Sequence, residues 1–287
     1  MRKRIFIIKL TRGFTLVEMA IVLVILGFVL STLLLPLQAQ REQVSLTQTN
    51  ITLGNAKQAL LGYAQAHGRL PCPATALNNT DAGSQGQENP LGGTHNVTPP
   101  NPAAPNCAVT VGFLPAATLG IEPSDANGFA LDAWNNRIRY AITADESSGF
   151  GSPRNNNPNQ VIDPTHPACA GDSAPDFTTT GNMAVVSLVC LAPNLRVCRI
   201  SPVTDPANCN PNVNLTNNAV AVIYSTGATG AQGSAGRPDE LANLDGDTVF
   251  VSHDISLAAA PNEFDHLVTW ISPFVLYNEM IQAGQLH

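Results

Sequence analysis

The sequence predicts an α+β protein: one long N-terminal helix packed by a single face on an antiparallel β-sheet, with long loops tied by disulfides. Three observations carry this. Residues 14–37 form one apolar run with a single charge, Glu18. Leu46, Thr49, Leu53, Ala56, Leu60, Tyr63 and His67 then recur at alternating spacings of three and four, as on a helix laid on a core by one face. Beyond Pro71 the chain breaks into short β-rich stretches between Gly, Pro and Asn clusters, with six cysteines from Cys72 to Cys209.

The apolar run comes first. From Phe14 to Leu37 there are 24 residues. At about 1.5 Å per helical residue they span roughly 36 Å, enough to cross the ~30 Å hydrocarbon core of a bilayer. A carboxylate placed there costs on the order of 2.5–3.5 kcal/mol on insertion scales, so Glu18 is a functional candidate that needs a partner. Ahead of it lie Arg2, Lys3, Arg4, Lys9 and Arg12, with no acid before Gly13. These charges hold the N-terminus in the cytoplasm and send the rest outside in a single pass. A secretory signal peptide fits poorly, since its apolar core runs about 7–15 residues and Leu37-Gln38-Ala39 is a poor cleavage site. A lipoprotein would carry a cysteine just after the run, and the first is Cys72.

The stretch Gly13-Phe14-Thr15-Leu16-Val17-Glu18-Met19-Ala20-Ile21-Val22 resembles the leader and N-terminus of type IV pilins and type II secretion pseudopilins. The resemblance rests on a basic leader, Gly, Phe, an acid at the fifth place of the mature chain, and an unbroken apolar helix. It implies a prepilin peptidase that cuts between Gly13 and Phe14 and methylates the new amine of Phe14. It also implies assembly with other pilin or pseudopilin subunits, in a type IV pilus or a pseudopilus. Cutting creates an ammonium at Phe14, four places before Glu18. In a filament, Glu18 can meet the ammonium of a neighbouring subunit's Phe14; a buried acid is tolerated when paired and costly when alone. The implied organisation is a leader at 1–13, a transmembrane and filament-core helix at 14–37, a periplasmic half-helix at 38–70, and a pilin-like globular domain at 71–287.

Without its leader the chain keeps nine Lys and Arg against 21 Asp and Glu, a net charge of −12. That acidity repels phosphate backbones and speaks against nucleic acid as a partner. The six cysteines follow the exported segment and include no Cys-x-x-Cys, which suggests disulfides rather than metal. Gly68 and the prolines Pro71 and Pro73 end the long helix near His67. The loop that follows, 74–107, is bracketed by Cys72 and Cys107, and a bridge between them would close it.

Trp134-Asn135-Asn136-Arg137 reads as a turn, because Asn tolerates positive φ. Ile138, Tyr140 and Ile142 then alternate with Arg139 and Ala141, as in a half-buried strand. This piece resembles the Asp-Pro-Trp-Gly-Asn-x-x-x-Tyr stretch of major type II secretion pseudopilins. Asp132, Trp134, Asn136 and Tyr140 match, whereas Ala133 and Asn135 stand in place of the Pro and Gly. The β-rich stretches 183–190 and 195–200 flank Ala192-Pro193-Asn194 and predict a hairpin, across which Cys190 would face Cys198. Further strands are expected at 220–224 and 248–251. Ser272-Pro273 caps and starts a final helix.

Asn243, Asp245 and Asp247 lie in a segment rich in oxygen ligands that could hold calcium, and its position resembles that of the calcium loop in the C-terminal region of major pseudopilins. The spacing is not that of an EF-hand, and Asp245-Gly246 reads equally as a turn before a strand. No nucleophile elbow, zinc-protease helix, P-loop or dinucleotide fingerprint occurs. Asp265-His266 reads as polar residues on a helix surface. The function expected is therefore a structural subunit, not an enzyme: a minor pilin or a pseudopilin. The competing class is a membrane-anchored periplasmic enzyme or binding protein, which would act as an isolated domain.

Overall fold

The computed structural model describes residues 13, 15–75, 86–89, 107, 109–143, 193–201, 209, 213–256 and 258–284, the side chains of 31–39 excepted. It divides into two units, Met1–Thr47 and Gln48–His287. Helix α1, Leu16–His67, passes through that division.

In the first unit every large apolar side chain described between Leu16 and Leu30 is exposed. Phe14 and the side chains of 31–37 lie outside the described residues. Among the described residues no helix is long and apolar enough to cross a membrane.

In the second unit α1 buries Thr49, Thr52, Leu53, Ala56, Leu60, Leu61 and Ala64 as it packs on an antiparallel sheet. The spacing of three and four is retained, but Leu46 is half-buried and His67 exposed, so the stripe is shorter than expected. Gly68 ends the helix at φ 68°, and its N–H bonds Ala64 O at 2.9 Å. Only Gly takes that left-handed position without a Cβ penalty.

The sheet under α1 is four-stranded, in the order β1 (Val111–Phe113), β2 (Arg139–Ile142), β5 (Ala221–Ser225) and β7 (Leu267–Ile271). All its pairs are antiparallel; Tyr140 faces Ile223 across β2 and β5, and Val222 faces Trp270 across β5 and β7. Strand β5 sits between two neighbours and is buried at every residue, which is why it reads as an unbroken apolar run. Helix α2 (Ala116–Leu119) follows β1.

A second, three-stranded sheet has the order β4 (Asn214–Ala219), β3 (Leu195–Cys198) and β6 (Val249–Val251). Strand β3 pairs antiparallel with β4 and parallel with β6, so the protein is not antiparallel throughout. This placement overturns the expected hairpin. A strand has two hydrogen-bonding edges, and both edges of β3 are filled, so 183–190 has no edge left to pair with. Residues 183–190, with Cys190, lie outside the described residues.

Helix α3 (Pro238–Ala242) packs by β6, and α4 (Pro273–Gln282) closes the chain. Ser272 caps α4, its side chain accepting from the Val275 N–H, with Pro273 in the first turn as expected.

Candidate functional site

The candidate assembly site is built by Thr15 and Glu18. Glu18 Oε2 accepts from the Thr15 backbone N–H at 2.9 Å and from the Thr15 hydroxyl at 3.0 Å. Thr15 Oγ1 in turn accepts from the Glu18 N–H at 3.2 Å. This is a capping box, in which two otherwise orphaned donors of the helix start are satisfied reciprocally. Its signature, Thr-x-x-Glu, lies in the sequence inside the apolar run. The consequence is chemical. The Glu18 carboxylate therefore has a partner within its own helix turn. Gly13 is exposed, and a Cβ added there would meet nothing within 4 Å.

The tryptophan turn is organised by Asp132, which is buried. Its Oδ1 accepts from the N–H groups of Trp134 at 2.9 Å and Asn136 at 2.8 Å. Its Oδ2 accepts from the Asn136 amide at 3.2 Å and from the Ser225 hydroxyl at 2.6 Å. The Asn136 amide also donates to Gly227 O at 2.6 Å, and Ala133 N–H donates to Thr49 Oγ1 of α1 at 3.1 Å. The carboxylate thus joins the turn to β5, and the Ala133 N–H joins it to α1. Asn135 has φ 67°. That is the conformation Gly adopts most easily and Asn tolerates, so Asn135 can take a left-handed position where the pseudopilin stretch has Gly. Tyr140 is fully buried and donates to Pro71 O at 3.1 Å.

Cys72 and Cys107 are bridged across 35 residues of sequence. A polar clamp, which sequence reasoning missed, lies at the start of that loop. Arg69 holds Glu88 with two nitrogens, each 2.7 Å from a carboxylate oxygen. Tyr63 OH donates to Glu88 at 2.9 Å and Cys72 N–H at 3.2 Å. Burial raises the Glu88 pKa, but the Arg69 fork outweighs it and holds the carboxyl below its usual range. No local pattern announces a pair 19 residues apart.

Cys198 is bridged to Cys209, not to Cys190. Cys198 ends β3, and the following return to β4 brings Cys209 within a Cα separation of 5.6 Å. Beyond this bridge the Arg199 N–H bonds Val213 O at 2.7 Å.

Asn243 is not directed to Asp245 and Asp247. It is buried, its Oδ1 accepts from Val251 N–H at 2.7 Å and its Nδ2 donates to Val251 O at 3.0 Å. The side chain thereby imitates a strand neighbour of β6. Asp245 Oδ1 accepts from Asp247 N–H at 3.2 Å and Asp247 Oδ1 from Val249 N–H at 2.7 Å, around Gly246 at φ 86°. These are the contacts of a turn leading into β6. Burial, with Asp245 beside it, pushes the Asp247 carboxyl up to about 7 against the pull of Val249 N–H.

Asp265 and His266 are buried rather than on a helix surface, and they precede a strand. Val268, Thr269, Trp270 and Ile271 are the β-branched and aromatic residues that favour a strand, and they outweigh the helix signal that begins only at Ser272.

Residues 8–34 match a family model described as the prokaryotic N-terminal methylation motif. This is the prepilin-type signal of type IV pilins and pseudopilins, and the chain carries it. Proteins with this motif are structural subunits, processed by a prepilin peptidase and assembled with other pilin subunits. No curated protein and no solved structure matches the chain.

Proposed function

We propose that this chain is a structural subunit, a minor pilin or pseudopilin, cut between Gly13 and Phe14 and methylated at Phe14. Residues 14–37 anchor it in the inner membrane after cleavage and later form its place in a filament core. Residues 38–70 continue the helix, and the globular part faces the periplasm. The observation that carries this reading is the methylation motif at 8–34, continued by an exposed apolar helix whose first turn holds Glu18. A surface of that kind is stable only in lipid or against like helices.

The capping box sets the order of events. In the membrane Glu18 is held by Thr15. On assembly the ammonium of a neighbour's Phe14 takes over as its partner. Glu18→Val removes the partner of that ammonium, and leaving one member of a buried pair alone costs roughly 3–5 kcal/mol. The variant should be cleaved and membrane-resident but depleted in filaments more than about a hundredfold. Thr15→Val, which removes only the cap, should lower incorporation far less. Quantitative immunoblotting of sheared or co-purified filaments reads both, and normal incorporation of Glu18→Val would refute the pairing.

A further inference from the structure

Among the described residues, the buried side-chain atoms without a hydrogen-bond partner are Thr229 Oγ1, Asp265 Oδ1 and His266 Nε2. They are not scattered. Thr229 N–H donates to Asp265 Oδ2 at 2.7 Å, and ligand atoms of Glu240, Asp265 and His266 lie within 4.8 Å of one another. Glu240, Asp265 and His266 are 1%, 7% and 2% exposed. Buried polar atoms are otherwise paired, so three orphans in one place point to a ligand.

The tautomer of His266 decides what kind. The Asn243 amide is fixed by its two bonds to Val251, so its oxygen and nitrogen cannot be exchanged. Its Nδ2, a donor only, lies 3.0 Å from His266 Nδ1. Nδ1 must therefore accept, and the ring proton of the neutral imidazole sits on Nε2. Burial keeps the ring neutral, with its pKa pushed down to about 3. A metal ion would need the Nε2 lone pair and would set Nδ1–H against the Asn243 N–H. A halide could accept from Nε2–H but would meet the carboxylates of Asp265 and Glu240. A water molecule meets every demand: it accepts from Nε2–H and donates to Asp265 Oδ1 and Thr229 Oγ1. Three bonds are what buried waters usually make.

We infer that one structural water is bound between His266 Nε2, Asp265 Oδ1 and Thr229 Oγ1, with His266 fixed as the Nε2–H tautomer. It joins the turn after β5, which carries Thr229, to the segment that leads into β7, next to Glu240 of α3. Gly227 shapes the same place, since a Cβ there would come within 2.5 Å of Asp265 Oδ1.

The test uses the whole chain in detergent micelles, labelled with 15N-histidine. Long-range 1H–15N correlation should show His266 protonated at Nε2 and bare at Nδ1, with a cross-peak from the Nε2 proton to water. Equimolar zinc chloride should leave that pattern and the melting temperature unchanged. An Nδ1–H tautomer, an Nε2 proton with no water contact, or a melting temperature raised by zinc would each overturn the inference.

Discussion

Asp132→Ala is the substitution that most severely tests the organisation of the globular unit. The carboxylate accepts four hydrogen bonds, two from backbone N–H groups and two from the side chains of Asn136 and Ser225. Ser225 is fully buried, and its 2.6 Å bond to a charged acceptor has no replacement in the variant. A bond of that kind contributes about 1.5–3 kcal/mol. The turn is half exposed, so water can replace the carboxylate at Trp134 and Asn136, at a loss nearer 0.5–1 kcal/mol each. The total is about 3–5 kcal/mol, and for a unit of this size the melting temperature should fall by roughly 10 °C. Asp132→Asn keeps one acceptor oxygen and should lose about half as much. Thermal unfolding of the full chain in detergent, followed by circular dichroism, measures both. A fall of less than ~2 °C for Asp132→Ala would refute the assignment of this carboxylate as the link between turn and sheet.

Four other outcomes are expected. Arg69→Gln leaves Glu88 buried without its partner and should destabilise by about 3 kcal/mol at neutral pH. The native Glu88 carboxyl is held below its usual range, so the pair contributes fully above 4.5 and is lost as the pH falls through the native value. The variant should lack that acid transition in its melting curves. Asp247 titrates the other way. Its native carboxyl is raised from 3.8 to about 7, so stability should decline as the pH rises between those values. Asp247→Asn should remove the decline, a gain of about 1 kcal/mol at pH 8 after allowance for its partial exposure. The turn contacts of Asp245 and Asp247 also predict that a chelator leaves the melting temperature unchanged, and a fall reversed by calcium would reinstate an ion there. Peptide mapping without reduction should yield Cys198 linked to Cys209, and a Cys190–Cys198 peptide would contradict the register of β3.

What could be read in advance divides by range. The helix end at Gly68, the turn at Asn135 and the cap at Ser272 all depend on residues a few places apart. The half-buried alternation expected through Tyr140 is not kept, because β2 lies between β1 and β5 and Ala141 is buried like Tyr140 and Ile142. Local chemistry decides the first three, so the sequence displays them. The Thr15–Glu18 box was equally local and was missed because the apolar run around it dominates the reading. The Arg69–Glu88 clamp, the Cys198–Cys209 bridge and the Asp132–Ser225 contact join residues that only the folded chain brings together. The parallel pairing of β3 with β6 belongs to the same group, since nothing in Leu195–Cys198 specifies which edge meets Val249–Val251. Asn243 shows how the two levels conflict. Its place among acidic residues suggests an ion ligand, yet its burial beside Val251 and His266 makes it part of the sheet's hydrogen bonding.

The central claim is that residues 1–13 are a leader and that Phe14 is the first residue of the working subunit. Intact-mass and peptide mass spectrometry of the membrane-extracted protein tests it most directly. The account predicts a chain beginning at Phe14 and heavier by one methyl group on its amine, with a Gly13→Val variant retaining all 13 leader residues. A native N-terminus at Met1, or at any residue other than Phe14, would contradict it.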